Sequence, residues 1–168
     1  MPHLRVTCGA FASLLVATIP ALGAPVESVL YSFKGGADGA APVASLVADS
    51  AGNFYTTTRY GGVANNGTIV MLERPKGKQA AWREKVIYSF GSGTKGKFPL
   101  ANILVDATGN LYTTTNEGGA GWGTVLELSP PAAGRRRWTE SVLHRFRFGI
   151  DGGWPCAGLV ADSAGSLY

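Results

Sequence analysis

Three aspartates recur at a near-constant interval, Asp49, Asp106 and Asp162, each followed three residues later by Gly52, Gly109 or Gly165, and the first two also by Asn53 and Asn110. Carboxylate and amide oxygens so grouped are calcium-type ligands, but calcium takes about six to eight oxygens and each loop offers a single carboxylate. The same residues suit a tight turn, in which Asp accepts hydrogen bonds from nearby backbone amides while Gly takes a positive φ. The turn is the expectation. Asp38-Gly39 and Asp151-Gly152 form a second recurring pair, yet Lys95-Gly96 stands in that place in the middle copy, a swap that no shared metal role survives.

Other chemistry has less support. His144 occupies the place of Tyr31 and Tyr88, and the remaining histidine, His3, lies in the N-terminal segment, so a zinc site or a His-based triad lacks partners. No Gly-x-Ser-x-Gly nucleophile turn occurs, and the run Gly91 to Lys97 is followed by Phe98 where a Gly-x-x-x-x-Gly-Lys-Ser/Thr phosphate loop needs its hydroxyl. Glu117, which replaces Tyr60, is the other break in the repeat, at a place where loop variation is cheap. No catalytic, cofactor-binding or metal-ligating residue is assigned, and no cofactor is expected.

The elements that carry these residues come from an internal repeat. Glu27 to Phe33 returns as Glu84 to Phe90 and as Glu140 to Phe146. Pro42, Pro99 and Pro155 keep the same step, as do Tyr55, Tyr112 and Tyr168, while Trp82 and Trp138 do so in the first two units. One unit covers 27–83, a second 84–139, and a partial third 140–168. Val86, Tyr88 and Phe90 alternate with Lys85, Ile87 and Ser89, the period of a half-buried strand with its aromatics on one face. Ala101 to Asp106, Asn110 to Thr115 and Gly123 to Ser129 supply three more strands, and the first unit repeats all four. The expected fold is all-β: tandem four-stranded antiparallel meanders, stacked as β-propeller-like blades. Closure takes about four to eight blades and the sequence supplies about two and a half. Ending at Tyr168, where earlier copies continue into three threonines, it reads as a fragment of a longer chain, with self-association through exposed blade edges as the alternative way to cover them.

Composition agrees with many short strands and tight turns: 24 glycines in 168 residues, and 15% charged residues. Residues 1–24 have the order of a secretory signal peptide, a weakly basic start, an apolar run from Val6 to Ile19, then Pro20 and the small residues Ala21, Gly23 and Ala24. The apolar run is shorter than the roughly 20 residues of a bilayer span. The mature chain, 25–168, is therefore expected in the periplasm, at the cell surface or in the medium, with no stable membrane span. It would keep Cys156 alone, so no internal disulfide forms. The net charge of +4 rests partly on Lys76, Lys78 and Arg135 to Arg137, in stretches with Gly77, Pro130, Pro131 and Gly134 that read as solvated loops rather than as a surface for nucleic acid or anionic glycans.

The residues Val29 to Phe33, Asp38 to Pro42, Asp49 to Thr58 and Gly61 to Leu72, with their matches from Val86 to Leu128, make the chain similar to the GloVer tandem repeat of bacterial exported proteins with varied surface anchors. Val70 and Leu126 stand where that family usually has Phe, and its usual C-terminal anchor region is missing from this sequence. The resemblance implies export and repeat architecture, and no reaction.

Two function classes follow. Strands that match while loops differ suit a non-catalytic scaffold or binding module, presenting Arg59 to Asn66 and Asn116 to Trp122 to a protein or glycan. Tyr31, Tyr88, Trp82 and Trp138 have the flat faces a sugar groove uses, but at repeating strand positions they are read as packing between units. The other class is a lyase or glycosidase of the propeller type, whose residues converge from several blades and lie mostly outside this chain; only fold-level analogy carries it. The module is favoured over the enzyme.

Overall fold

The computed structural model describes residues 27–78 and 81–168; the signal-peptide reading falls outside them. The described residues are all-β apart from one three-residue 3-10 turn, Gly36–Asp38. Ten strands, β1 (Ala40–Pro42), β2 (Val47–Ala48), β3 (Phe54–Tyr60), β4 (Thr68–Glu73), β5 (Arg83–Ser89), β6 (Lys97–Pro99), β7 (Leu104–Val105), β8 (Leu111–Glu117), β9 (Thr124–Ser129) and β10 (Thr139–Arg145), build two antiparallel sheets. Each is a meander of four columns. In the first sheet β1 and β2 share the outer column beside β3, followed by β4 and β5; in the second β6 and β7 lie beside β8, followed by β9 and β10.

Two expectations about strands need correction. The second strand of a unit is not the continuous run Ala101 to Asp106: β6 adds a piece upstream, and only β7 remains of the expected run. Proline lacks the N–H a ladder needs, and the residues before Pro42 and Pro99 sit at positive φ, Ala41 at 54° and Phe98 at 53°. The column breaks there, and Ala101 and Ile103 turn into the core at 2% and 4% exposure. The alternation of Val86, Tyr88 and Phe90 is also interrupted. Val86 faces Val70 but Tyr88 faces Ile69, with Ile87 as the extra residue of a bulge, so Val86 and Tyr88 lie on opposite faces. Leu143 is the corresponding extra residue in β10.

The sheets keep the repeat period but not the phase of the sequence units. The strand that opens the second unit, β5, is zipped to β4 and closes the first sheet, and β10 closes the second in the same way. Segment 130–138 is thus a hairpin connection inside one sheet rather than a link between sheets. Residues 27–33, the first copy of that strand, form no strand, because among the described residues no counterpart of β4 precedes them to pair with.

The core lies between the sheets. Tyr55, Ile69 and Met71 of the first meet Phe90, Ile103, Leu111, Leu126 and Leu128, with Trp138, Val105 and Val142 packed at the margin. Threonines take much of the remaining buried area, and the pairs Thr58–Thr68 and Thr115–Thr124 bond hydroxyl to hydroxyl at 2.7 Å. A polar seam registers one sheet on the next. Thr57 Oγ1 donates to the Ala101 carbonyl at 3.3 Å, Ser45 N to Asn102 Oδ1 at 2.8 Å, and Phe98 N to the Asn66 carbonyl at 2.8 Å. Gly67 accepts the Pro99 ring so closely that a Cβ there would stand 2.6 Å from Pro99 Cδ.

The seam repeats at the partial third unit. Thr114 Oγ1 donates to the Ala157 carbonyl at 3.0 Å, Trp154 N to the Trp122 carbonyl at 2.8 Å, and Gly123 meets Pro155 as Gly67 meets Pro99. Beyond the seam the third unit has a single bridge, Ala161 to Leu167, around its own aspartate turn. No helix among the described residues is long and apolar enough to cross a membrane.

Candidate functional site

At one end of the stacked sheets lie the aspartate turns. Asp49 Oδ1 accepts from Ala51 N and Asn53 N, both at 2.9 Å, and Oδ2 accepts from Asn53 Nδ2 at 2.8 Å and from the Tyr55 hydroxyl at 3.1 Å. Asp106 is held likewise by Thr108, Asn110 and Tyr112, and Asp162 by Ala164, Ser166 and Tyr168. Burial works upward on the Asp106 carboxyl, but the hydrogen bonds from Thr108 and Asn110 together outweigh it and bring the group down to about 2. An open cleft of about 470 Å³ separates the first two turns, lined by Ala48, Asp49, Ser50, Val105, Asp106 and Thr108. The carboxylates beside it are spent on their own turns. Asx-turn chemistry accounts for every one of these recurring residues.

The second recurring pair is a clasp between residues seven positions apart. Asp38 accepts from the Tyr31 hydroxyl at 2.8 Å and from Lys34 N at 2.6 Å; Asp151 meets His144 Nε2 at 3.0 Å and accepts from Arg147 N at 2.6 Å. His144 thus takes the role of Tyr31, a part that the sequence reading did not assign to it. The signal was available in the shared spacing of Tyr31 to Asp38 and His144 to Asp151. The bond to Asp38, with burial and the Asp38 and Glu84 charges behind it, pushes the Tyr31 phenol up to about 12.

On the face of the first sheet turned away from the second, the clasp meets a glutamate from the next unit. Burial, and then the neighbouring Asp38 carboxylate, raise the Glu84 carboxyl above its usual range, and Lys34 offsets this only in part; Glu84 Oε1 is buried without a hydrogen-bond partner. In the middle copy Lys95 replaces the aspartate, and its Nζ lies 3.0 Å from Oε2 of Glu140, whose side chain is 3% exposed. Burial and the Glu140 carboxylate raise the Tyr88 phenol. The Asp-to-Lys swap therefore turns a pair of carboxylates into an ion pair at one structural position.

The aromatics divide into two sets. Trp138 packs on Tyr55 of the preceding unit at 6.4 Å and Tyr88 packs against the core between the sheets, whereas Trp82 packs on Phe54 of its own unit at 4.9 Å, so packing between units holds for the first two and not for Trp82. Tyr31 stands edge-on to Phe33 at 5.3 Å, beside a groove formed by 27–33 with Pro42, Leu46 and Leu72. The second set was not read from the sequence. Trp122 joins Phe148 and Trp154 of a later segment at the loop end opposite the aspartate turns: Trp122 stacks on Phe148 at 4.5 Å and 20°, and Trp154 stands 4.7 Å from Trp122 and 5.2 Å from Phe148.

Both loops expected to vary lie at that end. In 59–66, Asn65 Oδ1 accepts from Gly61 N at 2.9 Å, Asn66 Nδ2 donates to the Gly91 carbonyl at 2.8 Å, and Val63 is 83% exposed. In 116–122, Asn116 Nδ2 lies 3.7 Å from Sγ of the exposed Cys156. Glu117 ends β8 opposite Lys97, so its replacement of Tyr60 alters a strand terminus. Arg135 to Arg137, Lys76 and Lys78 are exposed on the connections 130–138 and 74–82, within two hairpins.

Comparison with curated proteins gives no match, and comparison with solved structures gives none. The family described as the Gloeobacter/Verrucomicrobia repeat matches residues 18–168. That span contains every strand, turn and seam above, and it agrees with the resemblance carried by the repeated motifs. The chain belongs to the Gloeobacter/Verrucomicrobia repeat family.

Proposed function

We propose that the chain is an exported, non-catalytic binding module whose sheets are blades of a β-propeller and whose loops at the Trp122 end hold a glycan or protein. One observation carries this reading. The strands, aspartate turns and seam repeat from unit to unit, whereas the loops 59–66 and 116–122 differ in sequence and in exposed side chains. A scaffold that spends its recurring polar groups on itself and varies its rim is suited to presenting a surface. The repeated seam also favours self-association: the bonds that register sheet on sheet are local enough for a further copy of the chain to use them.

The test combines binding and turnover on one purified full-chain sample. Polysaccharides and extracellular proteins are offered, bound partner is measured by co-sedimentation and calorimetry, and cleavage is followed by reducing ends and by absorbance of unsaturated uronates. The expected result is binding without product, lost when loop 116–122 is exchanged for the sequence of 59–66. Product formation abolished by His144→Ala would replace the module by the lyase or glycosidase reading. Export is checked by N-terminal sequencing of periplasmic material, which is expected to start at Ala24 or Pro25.

A further inference from the structure

We infer that Trp122, Phe148 and Trp154 form an aromatic platform that takes the flat face of a pyranose ring. The inference deepens the proposed binding module and rests on it.

The three rings come from two successive units, Trp122 from the β8–β9 connection and Phe148 and Trp154 from the segment after β10. Their centroids lie within 4.5–5.2 Å of one another, yet Phe148 is 56% and Trp154 47% exposed. The fold does not require this cluster. At the preceding junction the same places hold Asn66, Ser92 and Phe98, and that junction makes the same backbone bond, Phe98 N to the Asn66 carbonyl, matching Trp154 N to the Trp122 carbonyl, both at 2.8 Å. There a single aromatic contact, Phe98 on Tyr60 at 5.7 Å, suffices. Trp122 and Phe148 have been added to an already closed seam, and Phe148 and Trp154 stand in water while Trp122 is half-buried behind them, which is the pattern of a surface that meets a ligand.

The surroundings select the ligand. Phe148 is backed by Trp122, so its outer face is a rigid flat apolar surface with little rotamer freedom left to lose. Charged groups flank it in sequence: Arg147, 66% exposed, and Asp151, whose Oδ2 lies 3.8 Å from Arg147 Nε. The indole N–H of the exposed Trp154 and the exposed Arg147 guanidinium offer donors to the hydroxyls at the edge of a sugar whose C–H face lies on the aromatic, while Asp151 is held by His144 and the Arg147 backbone. An aliphatic protein surface would leave those polar groups unanswered.

The experiment titrates hexasaccharides of β-1,4-linked glucose, β-1,4-linked mannose and α-1,4-linked galacturonate into the full chain, read by tryptophan fluorescence and calorimetry. At least one is expected to bind saturably, with Phe148→Ala and Trp122→Ala each weakening it about tenfold, Phe148→Tyr retaining it, and Tyr60→Ala at the other junction leaving it unchanged. Circular dichroism melting of each variant verifies that the fold is intact. A saccharide that binds Phe148→Ala and Trp122→Ala as tightly as the parent overturns the platform and leaves the module reading standing. Failure of all three to bind at about 10 mM, far weaker than a functional site requires, overturns the platform too, whereas the module reading is scored separately by the loop exchange.

Discussion

Substituting Gly123 by alanine tests the seam on which the stacked arrangement depends. Gly123 sits at φ +95°, and a Cβ added there would run into the Thr115 carbonyl oxygen and come within 2.6 Å of Pro155 Cδ. Neither neighbour can withdraw cheaply, since one is strand backbone and the other the ring that docks the third unit. Gly121, two residues away, has φ +102° and nothing within 4 Å of the same added atom. Gly121→Ala therefore carries only the conformational cost, about 1–2 kcal/mol. Gly123→Ala carries that cost plus overpacking of about 1–3 kcal/mol, a total of about 2–5 kcal/mol. Urea denaturation at pH 7, monitored by fluorescence and far-ultraviolet dichroism, compares the two variants with the parent. Equal losses, within about 0.5 kcal/mol of each other, would refute the packing of Gly123 against Pro155 and with it the registration of the third unit on the second sheet.

Two further outcomes concern charge. The Asp49, Asp106 and Asp162 carboxyls all titrate below their ordinary range, Asp106 at about 2, so the unfolded chain binds more protons than the native one through this window; their contribution is present above about pH 4 and is lost as pH falls towards about 2. A urea midpoint that stays level from pH 5 to pH 2 would contradict it. Glu84 has the opposite sign: its carboxyl is raised by burial and by Asp38, so its ionised form opposes folding above the usual carboxylate range, and Glu84→Gln is expected to raise the urea midpoint at pH 7 but not at pH 3.

What could be read in advance follows from how local each feature is. The aspartate turn closes within seven residues, from Asp49 to the Tyr55 hydroxyl, and its composition alone identifies it. The period of the repeat is equally plain, since a dozen landmarks keep step. The phase is not, because β5 has two possible neighbours, the strand before it and the one after, and nothing within Glu84 to Phe90 says which ladder it joins. The bulge at Ile87 is hidden for a related reason: the residues alternate strictly, and only the register against Ile69 and Val70 shows that one of them is skipped. Pro42 and Pro99 were visible as landmarks, but their effect of splitting a column depends on the positive φ of Ala41 and Phe98 that precedes them.

The same non-locality ties the candidate platform to the frame beneath it. Each sheet borrows its last strand from the following sequence unit, so a loop of one unit is always positioned by residues of the next. Trp122 shows this directly. Its carbonyl accepts from Trp154 N, the adjacent Gly123 carbonyl accepts from Phe146 N at 3.1 Å, and Gly123 also receives the Pro155 ring. The aromatic cluster and the seam therefore share two consecutive residues, Trp122 and Gly123. A change that only strips a ring, such as Phe148→Ala, removes the surface and leaves stability nearly untouched because the ring is more than half exposed. A change that pries the seam, such as Gly123→Ala, shifts Trp122 and Trp154 relative to each other and lowers stability and saccharide binding together. The separation of these two responses connects the repeat's architecture to its ligand, since a platform that did not span two units would give no reason for the second substitution to affect binding.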